Sequence, residues 1–556
     1  MTEAVDLLVR GTVVDVLNGV LEDRAVAIDD GEVVAFGDRP ADRELDAEYV
    51  APGLINAHMH VESTMLTLPR YGEAVLPRGV TAAIADPHEI GNVLGVEGVR
   101  ALASENDRTP LKARFGVPSS VPATDLQDAG ATIGPEEVAD LCGDDDVIAL
   151  AEVMDIDALL AGDPDLHGKI DAAREAGLRV DGHLSGITGD DLQEAARYLD
   201  NDHESRTLDA GREKAMAGLR LHLRQGSSSK NLEALLPLVD EIDTRRLSLC
   251  TDNFYVDDLQ RHAGMDEAVR MCIDAGVDPV TAVQMATVNT ADAYGLPFGR
   301  IAPGAPADIV LLDDLESWDV DRVIVDGELD PTSHLDADRP EPFRRDTVSF
   351  AALNPDDLAH PAPGHGEHRV RVIDHTGETT AEAAGTATER DGVLVGDTDA
   401  DVLPAAVIER HGKGAGIGTG FVHGFGLDRG AVASTVAHDA HNLVVVGASH
   451  AAMVAAAEHL RAVGGGLVAY DPEAEGDGFT TLELPIAGLL SPEPASTVAD
   501  RLAAVDDAGD DLGLSLPGGV MELDNLTLEV IPELRLTNQG LVDVRAGEVV
   551  DVLLDG

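Results

Sequence analysis

The chain has 556 residues, of which 103 are acidic and 39 basic, so its formal net charge is -64. We therefore expect no nucleic-acid partner, because no basic stripe is present to neutralise phosphates. At molar salt the screening length falls to about 3 Å and repulsion among like charges largely vanishes, so the composition predicts a protein adapted to a salty cytoplasm.

Length and residue usage indicate several domains in a reducing compartment. A chain this long exceeds what one core usually organises, so two or three domains are expected. No apolar run is long enough to span a bilayer, and the amino-terminal stretch lacks a basic segment leading into an apolar one. Cys142, Cys250 and Cys272 form no CxxC pattern, which fits a reducing environment. We therefore expect a cytoplasmic protein with no membrane partner.

Residues 1–50 are expected to form short strands. The stretch VDLLVRGTVVDV precedes GVLEDRAVAIDDGEVVAFG, in which DDG marks a hairpin turn.

From residue 51 to residue 297, apolar strand-like runs alternate with helical ones. In chain order the candidate strands are LINAHMH, VTAAIADP, LKARFGVP, VIALAEVM, LRVDGHLS, ARYLDNDHES, LRLHLRQGSSS and LSLCTDN. Eight strands with intervening helices predict the α/β class and a (β/α)8 TIM-like barrel, whose chemistry lies at the carboxyl ends of the strands. Helical periodicity is clear in MDEAVRMCIDAG and in DPVTAVQMATVNTADAYG, where Asp278 can cap the helix and Pro279 fits its first turn.

Two further segments follow the barrel. GRIAPGAPADIVLLDDLESWDVDRVIVDGEL returns to short strands, and we predict that it pairs with the amino-terminal strands. Residues 1–50 and 298–345 would then form one small β-sandwich domain from both flanks of the barrel. Residues 365–556 alternate strands such as NLVVVGAS with helices such as SHAAMVAAAEHLRAVG, which predicts a C-terminal α/β domain.

Side chains that can bind a metal follow five of the predicted barrel strands. In an extended chain, residues two apart point the same way, so His58 and His60 could meet one ion. The further candidates at strand ends are Glu152, His183, His203 and Asp252. Four histidines and two carboxylates are too many for one tetrahedral ion with an open position. They suit two divalent ions, with Glu152 as a bridge and a hydroxide held between them. The mixed nitrogen and oxygen ligands suit manganese, iron or zinc and do not decide among the three; manganese is the ion we expect.

These motifs carry a family resemblance. PGLINAHMH, the later single histidines, the Asp after strand 8 and GRIAPGAPADIVLLD resemble the metal-dependent amidohydrolase superfamily. The longer strings APGLINAHMHVESTM, ADPHEIGNVLGVEGV, VDGHLSG, GSSSKNLEALLP and GFGLDRGAVASTVAHDAHN are similar to the adenine deaminase family. The likeness extends over nearly the whole chain.

The resemblance implies a dinuclear enzyme of purine salvage that converts adenine and water to hypoxanthine and ammonia. It places one ion on His58, His60, Glu152 and Asp252, and the other on Glu152, His183 and His203. The bridging hydroxide would attack the carbon that bears the exocyclic amine. Asp252 is the residue expected to take a proton from that hydroxide and relay it to the leaving amine.

Further candidates surround this predicted centre. Glu204 and Glu89 are alternative donors of a proton or hydrogen bond to the purine ring nitrogen. His88 and Glu89 either contact substrate or belong to a turn and the surface; the resemblance favours the first. Ser229 and Asn231 follow strand 7, where barrel loops often bind polar ligand edges, although a turn that caps the next helix fits equally well.

Three features stay open. VAHDAHN, with His438 and His441, could bind a metal, form part of a lid, or be only a hydrogen-bonded turn; we favour a lid or interface. Asn56 and Asn253 stand where the family commonly has Asp, which keeps hydrogen-bonding capacity and removes charge.

Alternative functions are another cyclic amidohydrolase, another purine or pyrimidine deaminase, or a non-catalytic barrel scaffold. Glu152 stands where cyclic amidohydrolases usually carry a carboxylated lysine. The scaffold hypothesis predicts missing ligands, and none of the six is missing. We also expect the chain to form a homo-oligomer, either a dimer or a larger assembly.

Overall fold

A computed structural model describes residues 4–227, 229–339, 341–376, 380–531 and 533–554. The chain divides into two units. The first contains residues 1–87, 100–119 and 134–342, and the second contains residues 88–99, 120–133 and 343–556. Within the described residues, no helix combines the length and apolar character needed to cross a membrane.

The amino-terminal strands belong to the first unit. They are β1 (Val5–Asp15), β2 (Val20–Asp29), β3 (Glu32–Phe36) and β4 (Ala41–Pro52). The predicted hairpin turn lies between β2 and β3, where Asp30 and Gly31 have φ of 50° and 80°. Two consecutive positive φ values match the right-handed twist of the paired strands, which explains the DDG signal.

Eight parallel strands follow and form the barrel. They are β5 (Leu54–Met59), β6 (Val80–Ala85), β7 (Lys112–Val117), β8 (Val147–Val153), β9 (Arg179–Gly182), β10 (Asn201–Asp202), β11 (Arg220–Arg224) and β12 (Leu247–Cys250). Neighbouring strands pair in order from β5 to β9 and from β10 to β12. The Asp200 N–H donates to Val180 O over 2.8 Å between the two sets, and a bridge between Met59 and Asp252 joins the first strand to the last. The predicted barrel is confirmed, although β10 is much shorter than its predicted run.

The helices of this region alternate with the strands. They are α1 (Leu68–Val75), α2 (His88–Ser104), α3 (Pro135–Leu141), α4 (Ile156–Ala161), α5 (Pro164–Glu175), α6 (Gly189–Ala195), α7 (Leu208–Met216), α8 (Leu232–Leu235), α9 (Val256–Leu259), α10 (Met265–Asp274), α11 (Pro279–Met285) and α12 (Val288–Tyr294). Asp278 caps α11 as predicted, accepting hydrogen bonds from the N–H groups of Val280 and Thr281. The single predicted helix is divided into α11 and α12 because Ala286 O accepts the Ile55 N–H of β5 over 2.8 Å.

Three strands after the barrel complete a seven-stranded sheet. They are β13 (Ile309–Asp314), β14 (Asp319–Val325) and β15 (Glu328–Leu329). The order is β15-β14-β13-β4-β1-β2-β3, and β13 pairs antiparallel with β4 from Ile309 opposite Pro52 onward. The two flanks of the barrel therefore pair as predicted, but in a single seven-stranded sheet where a β-sandwich was expected. Trp318, the chain's single tryptophan, donates its indole N–H to Arg78 O over 3.2 Å in this unit.

The described part of the second unit contains a nine-stranded sheet, a three-stranded sheet, the start of α2 and two further α-helices. Its strands are β16 (Glu367–Asp374), β17 (Ala381–Arg390), β18 (Val393–Val395), β19 (Leu403–Ile408), β20 (Ile417–His423), β21 (Ala431–Ser434), β22 (Leu443–Gly447), β23 (Gly466–Tyr470), β24 (Phe479–Glu483), β25 (Leu534–Thr537), β26 (Gly540–Asp543) and β27 (Glu548–Val550); its helices are α13 (His450–Val463) and α14 (Ala495–Asp511). Helix α13 packs its alanine-rich face on the larger sheet, as expected of an α/β arrangement.

Two short segments from earlier in the chain belong to this second unit. They are residues 88–99 and 120–133. Within the unit, Asn442 donates its side-chain N–H to Asp128 O over 2.9 Å, and Lys413 donates to Ala129 O over 2.6 Å. The second unit is therefore assembled from three separate stretches of sequence.

Candidate metal centre

The six predicted ligands lie at the carboxyl ends of barrel strands in the first unit. His58 is in β5 and Glu152 is in β8, and the others lie one or two residues after strands: His60, His183, His203 and Asp252. The strands are buried apolar runs, so these polar ends mark where the chain leaves the core. All six are buried except His183, which is partly exposed.

Glu152 is the central carboxylate of this group. Its Oε2 lies 2.7 Å from His183 Nδ1 and 3.0 Å from His203 Nε2. Its Oε1 lies 3.4 Å from His60 Nε2. One carboxylate therefore faces histidines from both predicted ligand sets, which is the arrangement that a bridging ligand requires.

Asp252 occupies the other side of the group. Its Oδ1 lies 2.9 Å from His60 Nε2 and 3.7 Å from His58 Nε2. Its backbone φ is 55°, a left-handed conformation that is uncommon outside glycine and is often found at functional sites. The Asp252 N–H donates to His58 O over 2.9 Å, which links the end of β12 to β5.

The ring nitrogens of these histidines face the carboxylates and fit divalent cations. The buried Nε2 atoms of His58 and His203 face carboxylates of the group: His58 Nε2 lies 3.7 Å from Asp252 Oδ1, and His203 Nε2 lies 3.0 Å from Glu152 Oε2. His60 Nδ1 lies 3.1 Å from Asp86 O, so Nδ1 carries the proton and Nε2 presents its lone pair to the group. Burial lowers the pKa of His183, but the charges of Glu204 and Glu152 outweigh burial and raise this pKa to about 9. Without a metal, protons compensate the carboxylates, and divalent cations would displace them.

Arg224, at the end of β11, is a site residue that the sequence analysis missed. Its guanidinium contacts Glu204 Oε1 and Asp252 Oδ2. Burial would raise the pKa of both carboxyls, but Arg224 holds that of Glu204 at about 2 and that of Asp252 well below its usual value. Both groups are therefore ionised at neutral pH. The signal in the sequence was the arginine that ends the alternating strand LRLHLR, at the position where the other strands place ligands.

Two asparagines hold the strand ends in place. Asn56 donates to Thr251 Oγ1 over 2.7 Å and accepts the Thr251 N–H over 3.1 Å, which links β5 to the residue before Asp252. Asn231 accepts the Arg224 N–H over 2.7 Å and donates to His203 O over 2.9 Å. Both amides use a donor and an acceptor at once, which a carboxylate cannot do.

The other predicted residues are distributed over both units. Ser229, in the first unit, contributes its carbonyl, which accepts the Gly226 N–H over 3.2 Å. His88 and Glu89 begin α2 in the second unit. In that unit His88 Nε2 lies 3.7 Å from Asp439 Oδ1.

The VAHDAHN segment forms a buried ionic cluster with Glu89 in the second unit. Glu89 Oε1 lies 2.9 Å from His438 Nδ1, and its Oε2 contacts His441 Nε2. His441 Nδ1 accepts the Ala437 N–H over 3.1 Å, so Nε2 carries the proton of the neutral ring. Burial would raise the pKa of Glu89, but the two histidines hold it well below its usual value. Burial lowers the pKa of His438, but Glu89 and Asp524 raise it well above its usual value.

Comparison with family models shows two matched regions. The model described as the amidohydrolase family matches residues 49–329. The model described as the adenine deaminase C-terminal domain matches residues 378–548.

Relatives of similar length match along almost the whole chain. An adenine deaminase of Bacillus pumilus is 38% identical over 545 residues, which cover 96% of this chain and 94% of the relative. One from Oleidesulfovibrio alaskensis is 40% identical over 567 residues, with coverage of 98% and 96%. One from Methanothrix thermoacetophila is 38% identical, with coverage of 98% and 96%.

Proposed function

Because the chain belongs to the adenine deaminase family of amidohydrolases, we propose that it hydrolyses adenine to hypoxanthine and ammonia. The observation that carries this proposal is the buried group of four histidines and two carboxylates at the barrel strand ends. A structural core gives no reason to gather so many metal-competent side chains, whereas hydrolysis at a ring carbon needs them.

We propose that the group holds two divalent ions, with manganese as the natural occupant. His58, His60, Glu152 and Asp252 would hold one ion, and Glu152, His183 and His203 the other. The buried Nε2 atoms of His58 and His203, which face the Asp252 and Glu152 carboxylates, support this assignment. When bound, divalent ions supply the Lewis acidity that makes water a nucleophile at neutral pH.

Asp252 is the proposed proton carrier. It is ionised, buried and fixed by Arg224, so it can accept a proton from the attacking water as the bond to the amine-bearing carbon forms. One of the two water protons ends on the adjacent ring nitrogen and the other leaves on the amine as ammonia. The water oxygen becomes the carbonyl oxygen of hypoxanthine, so the reaction balances.

Glu204 is the proposed contact for the purine ring. Its pKa of about 2 means that it accepts a hydrogen bond from a purine N–H and does not itself supply the ring proton. The ring nitrogen would then receive its proton through Asp252. Both oxygens of Glu89 face histidines, and His88 faces Asp439. These contacts support a role for Glu89 and His88 in positioning the side chains of the VAHDAHN segment. Ser229 and Asn231 are proposed to shape the substrate side of the β11 loop.

Incubation of the purified protein with adenine tests the proposal. Manganese-loaded protein in molar potassium chloride should release hypoxanthine and ammonia in equal amounts, measured by chromatography and an ammonia assay. Metal analysis should find about two ions per chain. Turnover of guanine or a cyclic amide without turnover of adenine would overturn the substrate, and a folded protein that retains no metal would overturn the chemistry.

A matched pair of variants separates the metal group from general folding. His203→Gln removes one proposed ligand and should lower both the metal content and the turnover. His167→Gln removes a histidine outside the group, whose Nε2 faces Leu159 O, and should leave both unchanged.

A further inference from the structure

A cavity of about 280 Å³ lies at the amino-terminal ends of barrel strands β9 to β12. Its polar lining comes from Arg179, Arg220, Arg246, Asp200, Asn201 and Tyr294. We call it the arginine cavity. Arg179 and Arg220 are the first residues of β9 and β11, and Arg246 immediately precedes β12. The metal group occupies the opposite, carboxyl ends of the strands, so the two sites are distinct.

The cavity is lined by basic side chains, whereas the whole chain is strongly acidic. Three arginines meet in one small volume, although acidic residues outnumber basic ones by 103 to 39. Burial lowers the pKa of Arg220, and Arg179 and Arg246 lower it further. Adjacent like charges cost free energy, and an anion between them would remove that cost.

Backbone carbonyls only partly satisfy these arginines. Arg220 donates to Arg245 O over 2.7 Å, and Arg246 donates to Leu219 O over 2.6 Å. Arg179 donates to Ala293 O over 2.9 Å. A guanidinium has five N–H donors. The ion pairs in the described part of the chain include neither Arg220 nor Arg246, so donors remain for a ligand.

The nearby acidic groups are already compensated. Asp200 lies 3.6 Å from Arg179, but its closer partner is Arg174 at 2.6 Å. Asp292, which also acts on Arg220, pairs with Arg300 at 3.1 Å. The three cavity arginines therefore keep a net positive charge.

We propose that the arginine cavity binds a tetrahedral oxyanion of the phosphate class. The planar fork of arginine matches two phosphate oxygens at once, which distinguishes phosphate from the chloride that a salty cytoplasm supplies. Pockets for organic ligands usually have volumes of about 300–1,000 Å³. The volume of the arginine cavity therefore suits a phosphate group with a small substituent at most. The Tyr294 hydroxyl at the wall accepts from Asn201 over 3.1 Å and donates to Asp181 Oδ2 over 2.9 Å, so the donors for an oxyanion come from the arginines.

Calorimetric titration of the manganese-loaded protein with inorganic phosphate, at constant molar potassium chloride, tests this proposal. One phosphate should bind per chain. Arg220→Gln should weaken binding about tenfold or more, because it removes the charge and the fork. Arg212→Gln is the matched control: it also removes one charge, but Arg212 pairs with Asp209 and Glu241 outside the cavity. It should leave the affinity unchanged.

A second arm identifies the source of the phosphate group. Glycerol 3-phosphate binding more tightly than inorganic phosphate would indicate a small phosphorylated metabolite, and the reverse would indicate free phosphate. Arg179→Gln repeats the test at an exposed side chain, where folding is not at risk, and adenine turnover without phosphate checks that each variant is folded. Absence of phosphate binding, or equal affinity in wild type and both cavity variants, overturns the proposal. The second result would place phosphate at the bound metal ions instead.

Discussion

Replacing Arg224 by Gln should destabilise the metal-free barrel. The Arg224 side chain is 6% exposed, and the carboxylates of Glu204 and Asp252 that it contacts are each 4% exposed. Removing one member of a buried ion pair leaves the other charge uncompensated, at a cost of about 3–5 kcal/mol in the free energy of unfolding. Here two carboxylates lose the same partner, so the upper end of that range is expected.

Trp318 provides the assay, because this single tryptophan is 3% exposed and lies in the same unit as Arg224. Urea unfolding followed by its fluorescence, in molar potassium chloride, should show a lower midpoint for Arg224→Gln than for wild type. Manganese should reduce the difference, because a divalent ion beside Asp252 compensates part of the lost charge. Arg212→Gln, which breaks exposed ion pairs, should not shift the midpoint measurably. Unfolding of metal-free Arg224→Gln within about 1 kcal/mol of wild type would refute the assigned charge balance.

Three further outcomes are expected. Asp252→Asn should lower the rate of adenine deamination about 100- to 10,000-fold while circular dichroism stays close to wild type, because the proton carrier is lost; a near-normal rate would remove Asp252 from the relay. Burial raises the pKa of Glu105 from 4.5 to about 7 despite the opposing charge of Arg108. The protonated form of Glu105 therefore contributes to the free energy of unfolding below about pH 4.5, and this contribution is lost as the pH rises through about 7. Urea titrations at the two ends of this pH range should show that Glu105→Gln removes about 3 kcal/mol of the pH dependence of the free energy of unfolding. Burial raises the pKa of the Cys272 thiol to about 12 and that of Cys250 well above its usual value, so mass spectrometry should find both unalkylated by iodoacetamide until the protein is unfolded; rapid labelling of the native chain would contradict their burial.

The sequence predicted the barrel because each strand is a short apolar run ended by turn residues. The strands from β5 to β8 are almost entirely buried, so their composition reflects their environment directly. The sixth strand was predicted at the right place but too long, since only Asn201–Asp202 pairs as a strand. The division of the last predicted helix depends on the Ile55 N–H, which comes from a distant part of the chain and leaves no local pattern.

Within the site, the candidate ligands could be found because histidine and carboxylate at strand ends are conspicuous. Arg224 was missed because an arginine at the end of a strand is normally interpreted as a solvent-exposed charge. Its role depends on Glu204 and Asp252, which come from two other strands. The contacts of Glu89 with His438 and His441 join residues about 350 positions apart, a separation at which periodicity carries no information.

The second unit cannot be separated from the first by cutting the chain at one point. It combines residues 343–556 with residues 88–99 and 120–133. A gene fragment that stops at Pro342 would still encode Glu89 and Asp128, but their partners His438 and Asn442 would be gone. Such a fragment would carry two segments with buried charges and unpaired backbone groups, and we expect it to aggregate. The same interleaving constrains how the protein arose: a carboxyl-terminal unit could not simply be appended to an existing barrel unless two segments within the barrel's sequence changed as well.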